Sequence, residues 1–356
     1  MTKVHAGHFF EDFELGRTFT HATPRTVGEG EIAQYLALTG SRHVIASAAT
    51  VAHALGFPRR PLDELLAFHL AFGKTVADIS LNAVANLGYA DLRFHRPVYV
   101  GDTLAAESTV IGLKENANGE AGVVWVRSTA FNQNDEDVLS WVRWVMVKKR
   151  DRSHPAPTPV VPEMPSHVPP DRLSVPGFLR LRGFETGLTG GPWLWDDYTP
   201  GERIDHAAGM TLDESDHTFA TRLYQNPARL HFDARLMAGT PYGRRLVYGG
   251  HVMSVCRALS FEGLENALLI AAINAGTHAN PTFAGDTLTC RSEVLERWPL
   301  PGRDDLGALR LRMLGIKNLP AAELGEVMVE MEGKRKYHDH VVLDLDYTVL
   351  MPRRTP

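Results

Sequence analysis

The spacing of apolar positions changes along this chain, and it changes in the same way twice. From Leu62 the stretch LDELLAFHLAFGKTV repeats apolar residues three and four apart, which is the spacing of one helix face. Beyond Gly101 the period becomes two: TLAAESTVIGL, GVVWVRSTAFNQ and VLSWVRWVMVKK alternate and are rich in β-branched and aromatic side chains. This predicts antiparallel strands entered through a Gly-Asp-Thr turn. A second helical stretch, GGHVMSVCRALSFEGL from Gly249, precedes a second Gly-Asp-Thr-Leu that begins at Gly285. One helix against several antiparallel strands, written twice, makes an α+β chain.

The two copies align in a single frame. FFEDFELGRTFTHA matches LWDDYTPGERIDHA, with Gly16 opposite Gly201; farther on Ser41 falls opposite Asn226, and Gly101 opposite Gly285. The frame slips by one residue over this whole distance, which implies a duplicated unit. Between the copies, the text KKRDRSHPAPTPVVPEMPSHVPPDRLSVP carries repeated Pro, which removes amide donors and fixes φ, so no helix or central strand is expected there. The boundaries that follow are a first unit over 1–152, a Pro-rich linker over 153–185 and a second unit over 186–356.

Composition narrows the class. A chain of 356 residues exceeds the usual span of one core, and 44% hydrophobic residues suffice for two. A net charge of -5 argues against a nucleic-acid footprint. Only two cysteines occur, Cys256 and Cys290, so no disulfide framework is expected and a reducing compartment is the simpler setting. No run reaches the roughly 18 apolar residues of a spanning helix, and acidic residues interrupt the start before any leader-like apolar run. The expectation is a cytoplasmic protein without membrane contact. Sheet edges that need covering favour a homodimer or higher homo-oligomer.

Three stretches of the second half, QNPARLHFD, PYGRRLVYGGHVMS and FAGDTL, together resemble the MaoC-like hydratases, whose hot-dog fold wraps a sheet around a central helix. The first half, through LLAFHLAFGKTVADISLNAVANLGYA, VYVGDTLAAESTVIGLKEN and VLSWVRWVMVKKRD, resembles the double hot-dog mesaconyl-CoA hydratases of that family. The resemblance implies a double hot-dog fold and reversible hydration of mesaconyl-CoA (2-methylfumaryl-CoA) to β-methylmalyl-CoA. It also implies an acyl-CoA thioester as partner, with no cofactor beyond the coenzyme A of the substrate. Three other readings stay open: an (R)-specific enoyl-CoA hydratase of other acyl chains, a hot-dog thioesterase, and an acyl-CoA-binding protein without catalysis.

Hydrating an enoyl thioester requires a base for water, a proton for Cα, and donors for the thioester oxygen as it gains charge. The family places an Asp five positions before a His; here the stretch from Asn226 to Asp233 keeps His231 but has Asn226 in place of the Asp. A carboxamide orients water but takes no proton, which leaves the proton traffic to His231. Asp213, Asp216 and Asp233 are the nearby carboxylates that could share it. Gly249 opens a helix whose first amide can donate to the thioester oxygen. His231, Asn226 and Gly249 are therefore the catalytic candidates, against the plainer readings of a core histidine, a turn residue before Pro227 and a tight turn. Arg229, Gly250 and Asp233 are the substrate-binding candidates, with Arg229 preferred over Arg244 and Arg245 for the distal carboxylate. In the first copy Ser41 and Ala46 stand opposite Asn226 and His231, which implies one active site per chain. His338-Asp339-His340 lacks a third ligand nearby and reads as a turn, with no metal expected. The glycines of GTPYGRRLVYGG fit neither a dinucleotide fingerprint nor a P-loop.

Overall fold

The computed structural model describes residues 3–4, 6–181, 184–331 and 333–354. In the first half, helix α1 (Glu64–Ile79) is followed by strands β1 (Ala83–Phe94), β2 (Thr103–Glu115), β3 (Ala121–Phe131) and β4 (Asp137–Lys148). In the second half, helix α2 (Gly249–Leu259) is followed by β5 (Leu269–His278), β6 (Thr287–Leu300), β7 (Arg303–Lys317) and β8 (Val341–Pro352). The period-two stretches are these strands, and Gly101 and Gly285, which precede β2 and β6, both adopt φ above +90°. That conformation is cheap only for glycine.

The eight strands run through one antiparallel sheet in the order β2-β3-β4-β1-β5-β8-β7-β6, extended at each end by short strands. The order reads as two matching halves meeting at β1 and β5, where Tyr89 lies opposite Gly276 and Leu92 opposite Ile273. Each half curls around its own helix, which is the double hot-dog arrangement. Helix α1 starts where Asp63 caps it, its carboxylate accepting from Leu65 N at 2.9 Å.

Chain length suggests two cores, but the halves share one. A single apolar cluster holds Leu65, Phe68 and Phe72 of α1 together with Val252, Met253 and Cys256 of α2. The helices touch through His69 Nε2 and Ser254 Oγ at 2.8 Å. With sheet on one side and a second helix on the other, α1 is buried almost all round, so its apolar face is broader than one stripe.

The Pro-rich connector forms no helix beyond a single 3-10 turn at Pro170–Arg172 among its described residues, and it is held against the body. Val160 bridges to Leu113, Val168 N donates to Asn274 Oδ1 at 2.9 Å, and Leu173, Leu179 and Leu181 are buried beside Leu268 and Leu306. Its apolar residues, spaced between prolines, supply that packing.

Candidate active site

Asn226 sits where two constraints meet. Gly73 of α1 has no side chain, and a Cβ there would strike the carbonyl oxygen of Tyr224, so the first-half helix seats the segment just before Asn226. Gln225 adopts φ +52°, a left-handed conformation uncommon for a non-glycine residue. This turn buries Asn226, whose Oδ1 accepts the backbone N–H of Ala228 at 2.9 Å. The bond sets the orientation of the carboxamide: its oxygen is occupied, and its NH2 carries no hydrogen bond among the described residues. Asn226 thus offers a donor to the cavity it lines.

A 3-10 turn, Arg229–His231, carries the histidine. His231 Nδ1 lies 2.9 Å from the carbonyl oxygen of Leu246. A carbonyl only accepts, so Nδ1 holds the proton and Nε2 keeps its lone pair for the cavity. Burial pushes the His231 pKa down to about 4, against an upward pull from the Leu246 carbonyl and a further lowering by His217. The imidazole is therefore neutral at pH 7, the state a base requires.

Gly249 is the first residue of α2, after Tyr248 at the cap position. Amides of a first helical turn have no intrahelical acceptor and stand at the positive end of the dipole. His278, at the end of β5, lies against this glycine: a Cβ on Gly249 would come within 2.5 Å of its ring. The hydroxyl of Tyr89, on β1 of the first half, lies 3.2 Å from Nε2 of His278.

Asn226, His231 and Gly249 line one cavity of about 350 Å³ with His278, and Phe72 and Arg143 of the first half line it too. The other expected contacts lie elsewhere. Arg229 is exposed on its turn. Asp233 caps the short helix Ala234–Ala238 by accepting from Leu236 N at 2.9 Å. Gly250 makes room for the approach of α1, since a Cβ there would meet Tyr248 and His69. Arg244 lies over the Phe283 ring and Arg245 pairs with Glu214. Asp213 and Asp216 are exposed, and among the described residues His231 is hydrogen-bonded to the Leu246 carbonyl and to none of the three Asp candidates. His338 and His340 stack on each other in the turn before β8.

In the first half a cavity of about 270 Å³ lined by Leu62, Glu64 and Phe94 matches the catalytic cavity in the repeat, but Ala46, which matches His231, does not line it. A cavity of only about 10 Å³ remains between Ala46, Glu64 and Arg257. That is room for about one water. Glu64 occupies the first position of α1, where α2 has Gly249. Burial and the neighbouring Asp63 raise the Glu64 pKa to about 8, so at pH 7 the start of α1 carries a mostly neutral carboxyl side chain where α2 has none.

Sequence reasoning misses His278, Tyr89, Arg143 and Asn86 at the catalytic cavity. His278 has one usable signal, its place at the strand end just before the Gly-Asp turn. The rest belong to the half without the histidine.

Comparison with known proteins places the chain in a family. The family model described as mesaconyl-CoA hydratase matches residues 2–159. A β-methylmalyl-CoA dehydratase of Chloroflexus aurantiacus is 52% identical over 99% of both chains. A mesaconyl-CoA hydratase of Cereibacter sphaeroides is 55% identical over 99% of this chain and 100% of the relative. A solved structure of a MaoC domain dehydratase from Chloroflexus aurantiacus superposes with TM-score 0.96 at 52% identity, covering all of both chains. Full-length identity above one half, with the same double fold, shows that this chain belongs to the mesaconyl-CoA hydratase family of MaoC-like hydro-lyases.

Proposed function

We propose that this protein reversibly hydrates mesaconyl-CoA to β-methylmalyl-CoA in the second-half cavity, with His231 as the acid/base group. The observation that carries this reading is the His231 Nδ1 bond to Leu246, which leaves a neutral Nε2 facing the same cavity as Asn226 and the start of α2. Water held by the Asn226 NH2 gives a proton to Nε2 while its oxygen bonds to Cβ. The double-bond electrons move to the thioester, whose oxygen becomes enolate-like and accepts from the Gly249 amide. The imidazolium then returns its proton to Cα. Dehydration is the reverse path.

Each part has an ordinary magnitude. Positioned acid/base catalysis contributes about 10²- to 10⁴-fold. Removing one oxyanion donor costs on the order of 3 to 4 kcal/mol. The two curated relatives, named for the two directions of one reaction, support both the substrate and the reversibility.

The test is to follow enoyl-thioester absorbance and free thiol together as purified protein meets mesaconyl-CoA. Loss of absorbance without thiol release supports the reading. Thiol release marks a thioesterase, and no change in either signal marks a binding protein.

A further inference from the structure

The cavity that His231 lines holds a charge with no counter-charge. Arg143, on β4, is fully buried, yet no carboxylate pairs with it among the described residues. Its guanidinium donates only to neutral hydroxyls, Thr75 Oγ1 at 2.8 Å and Ser80 Oγ at 3.3 Å, and lies 4.3 Å over the ring of Phe72. Its Nε has no hydrogen-bond partner among the described residues. Two more polar groups lining the cavity are buried and unsatisfied: both side-chain polar atoms of Asn86 on β1, and the hydroxyl of Tyr248. Burying an unpaired ion is expensive, and buried polar atoms almost always find partners, so three such groups around one cavity make a set that a bound anion would satisfy.

Resting on the functional reading above, we propose that Arg143, with Asn86 and Tyr248, binds the distal carboxylate of the substrate and so selects dicarboxylic enoyl thioesters. A guanidinium fork matches a carboxylate in two parallel hydrogen bonds. The carboxylate of mesaconyl-CoA sits on Cβ, the carbon that water attacks, so its receptor must lie in the same cavity as the base. Tyr248 connects the two, with its ring 5.5 Å from that of His231 and 6.0 Å from that of Phe72, over which Arg143 lies. Burial lowers Arg143 only to about 10, so it stays charged at neutral pH. The first half, which lacks the histidine, thereby supplies the specificity. The side chain expected there, Arg229, points from an exposed turn instead.

The test compares mesaconyl-CoA with 2-methylcrotonyl-CoA, which carries a methyl in place of the carboxylate, in wild type, Arg143→Gln and Arg143→Lys. Arg143→Gln should lower the ratio of kcat/KM for mesaconyl-CoA over 2-methylcrotonyl-CoA by about 10- to 100-fold, mainly through KM. Arg143→Lys, which keeps the charge but loses the fork, should recover only part, and it serves as the test variant if Arg143→Gln does not fold. An unchanged ratio, including equal losses on both substrates, overturns the assignment. Thermal stabilisation by free mesaconate gives a second readout that needs no turnover: wild type should be stabilised and Arg143→Gln should not. Equal stabilisation of both, or none in the wild type, overturns the carboxylate site. If wild type hydrates neither thioester, the functional reading fails and the mesaconate measurement alone decides the role of Arg143.

Discussion

The Nδ1–H of His231 donates to the carbonyl oxygen of Leu246 across 2.9 Å, and this bond decides which nitrogen does the chemistry. Burial then keeps that nitrogen unprotonated, with the His231 pKa pushed down to about 4. A base works in its neutral form, so a lowered pKa extends activity towards acid. The pH profile of kcat/KM should stay flat from pH 8 to below 6 and fall only as pH drops through about 4. An acid limb at the ordinary histidine value of about 6.5 would show that His231 is solvated in the working enzyme.

Asn226 holds its oxygen on Ala228 N and offers only NH2 to the cavity. Asn226→Ala should therefore lower kcat by about tenfold with KM nearly unchanged, because the lost hydrogen bond strengthens towards the transition state. Asn226→Asp places a carboxylate beside the imidazole, favours its charged form and should move the acid limb upward. Steady-state kinetics of both variants across pH reads these effects. Full kcat in Asn226→Ala removes the residue from the mechanism.

Adjacent glycines of α2 should behave differently. In Gly249→Ala the new Cβ collides with the His278 ring at 2.5 Å and disturbs the first amide of the helix. Its kcat should fall by at least about a hundredfold, the scale of losing one oxyanion donor. In Gly250→Ala the new Cβ meets His69 of α1 at 2.7 Å, so the damage falls on helix packing. Tm should drop by several degrees, on the scale of about 1 to 3 kcal/mol of overpacking. Thermal melts and single-turnover rates of the two variants separate these outcomes. Equal Tm losses with equal kcat would contradict the distinction.

Much of this organisation is legible in the sequence because it is local or repeated. The change of period marks α1, α2 and their strands, and the repeat frame places Ala46 opposite His231. Gly249 and His231 belong to one continuous stretch of second-half text. Arg143 is illegible for a physical reason: in VLSWVRWVMV an Arg at an alternating position reads as a solvated strand face. It is buried because the first-half sheet closes over α1, beside the Tyr248 end of α2. The pairing of Tyr89 with His278 joins residues 189 apart and exists only because β1 and β5 meet at the centre of the sheet. Asp233 misleads because a carboxylate two positions after a histidine looks like its partner, whereas capping the short helix after it satisfies it locally.

The central claim is one acid/base site per chain, in the second half. Its most direct test is kcat for mesaconyl-CoA in His231→Gln and in His43→Gln, a buried histidine beside Ala46 in the first half, with Tm measured for both. The account predicts a loss of at least about a hundredfold for His231→Gln, in line with general acid/base contributions, and less than about threefold for His43→Gln. Comparable losses in the two variants, at comparable Tm, would contradict it.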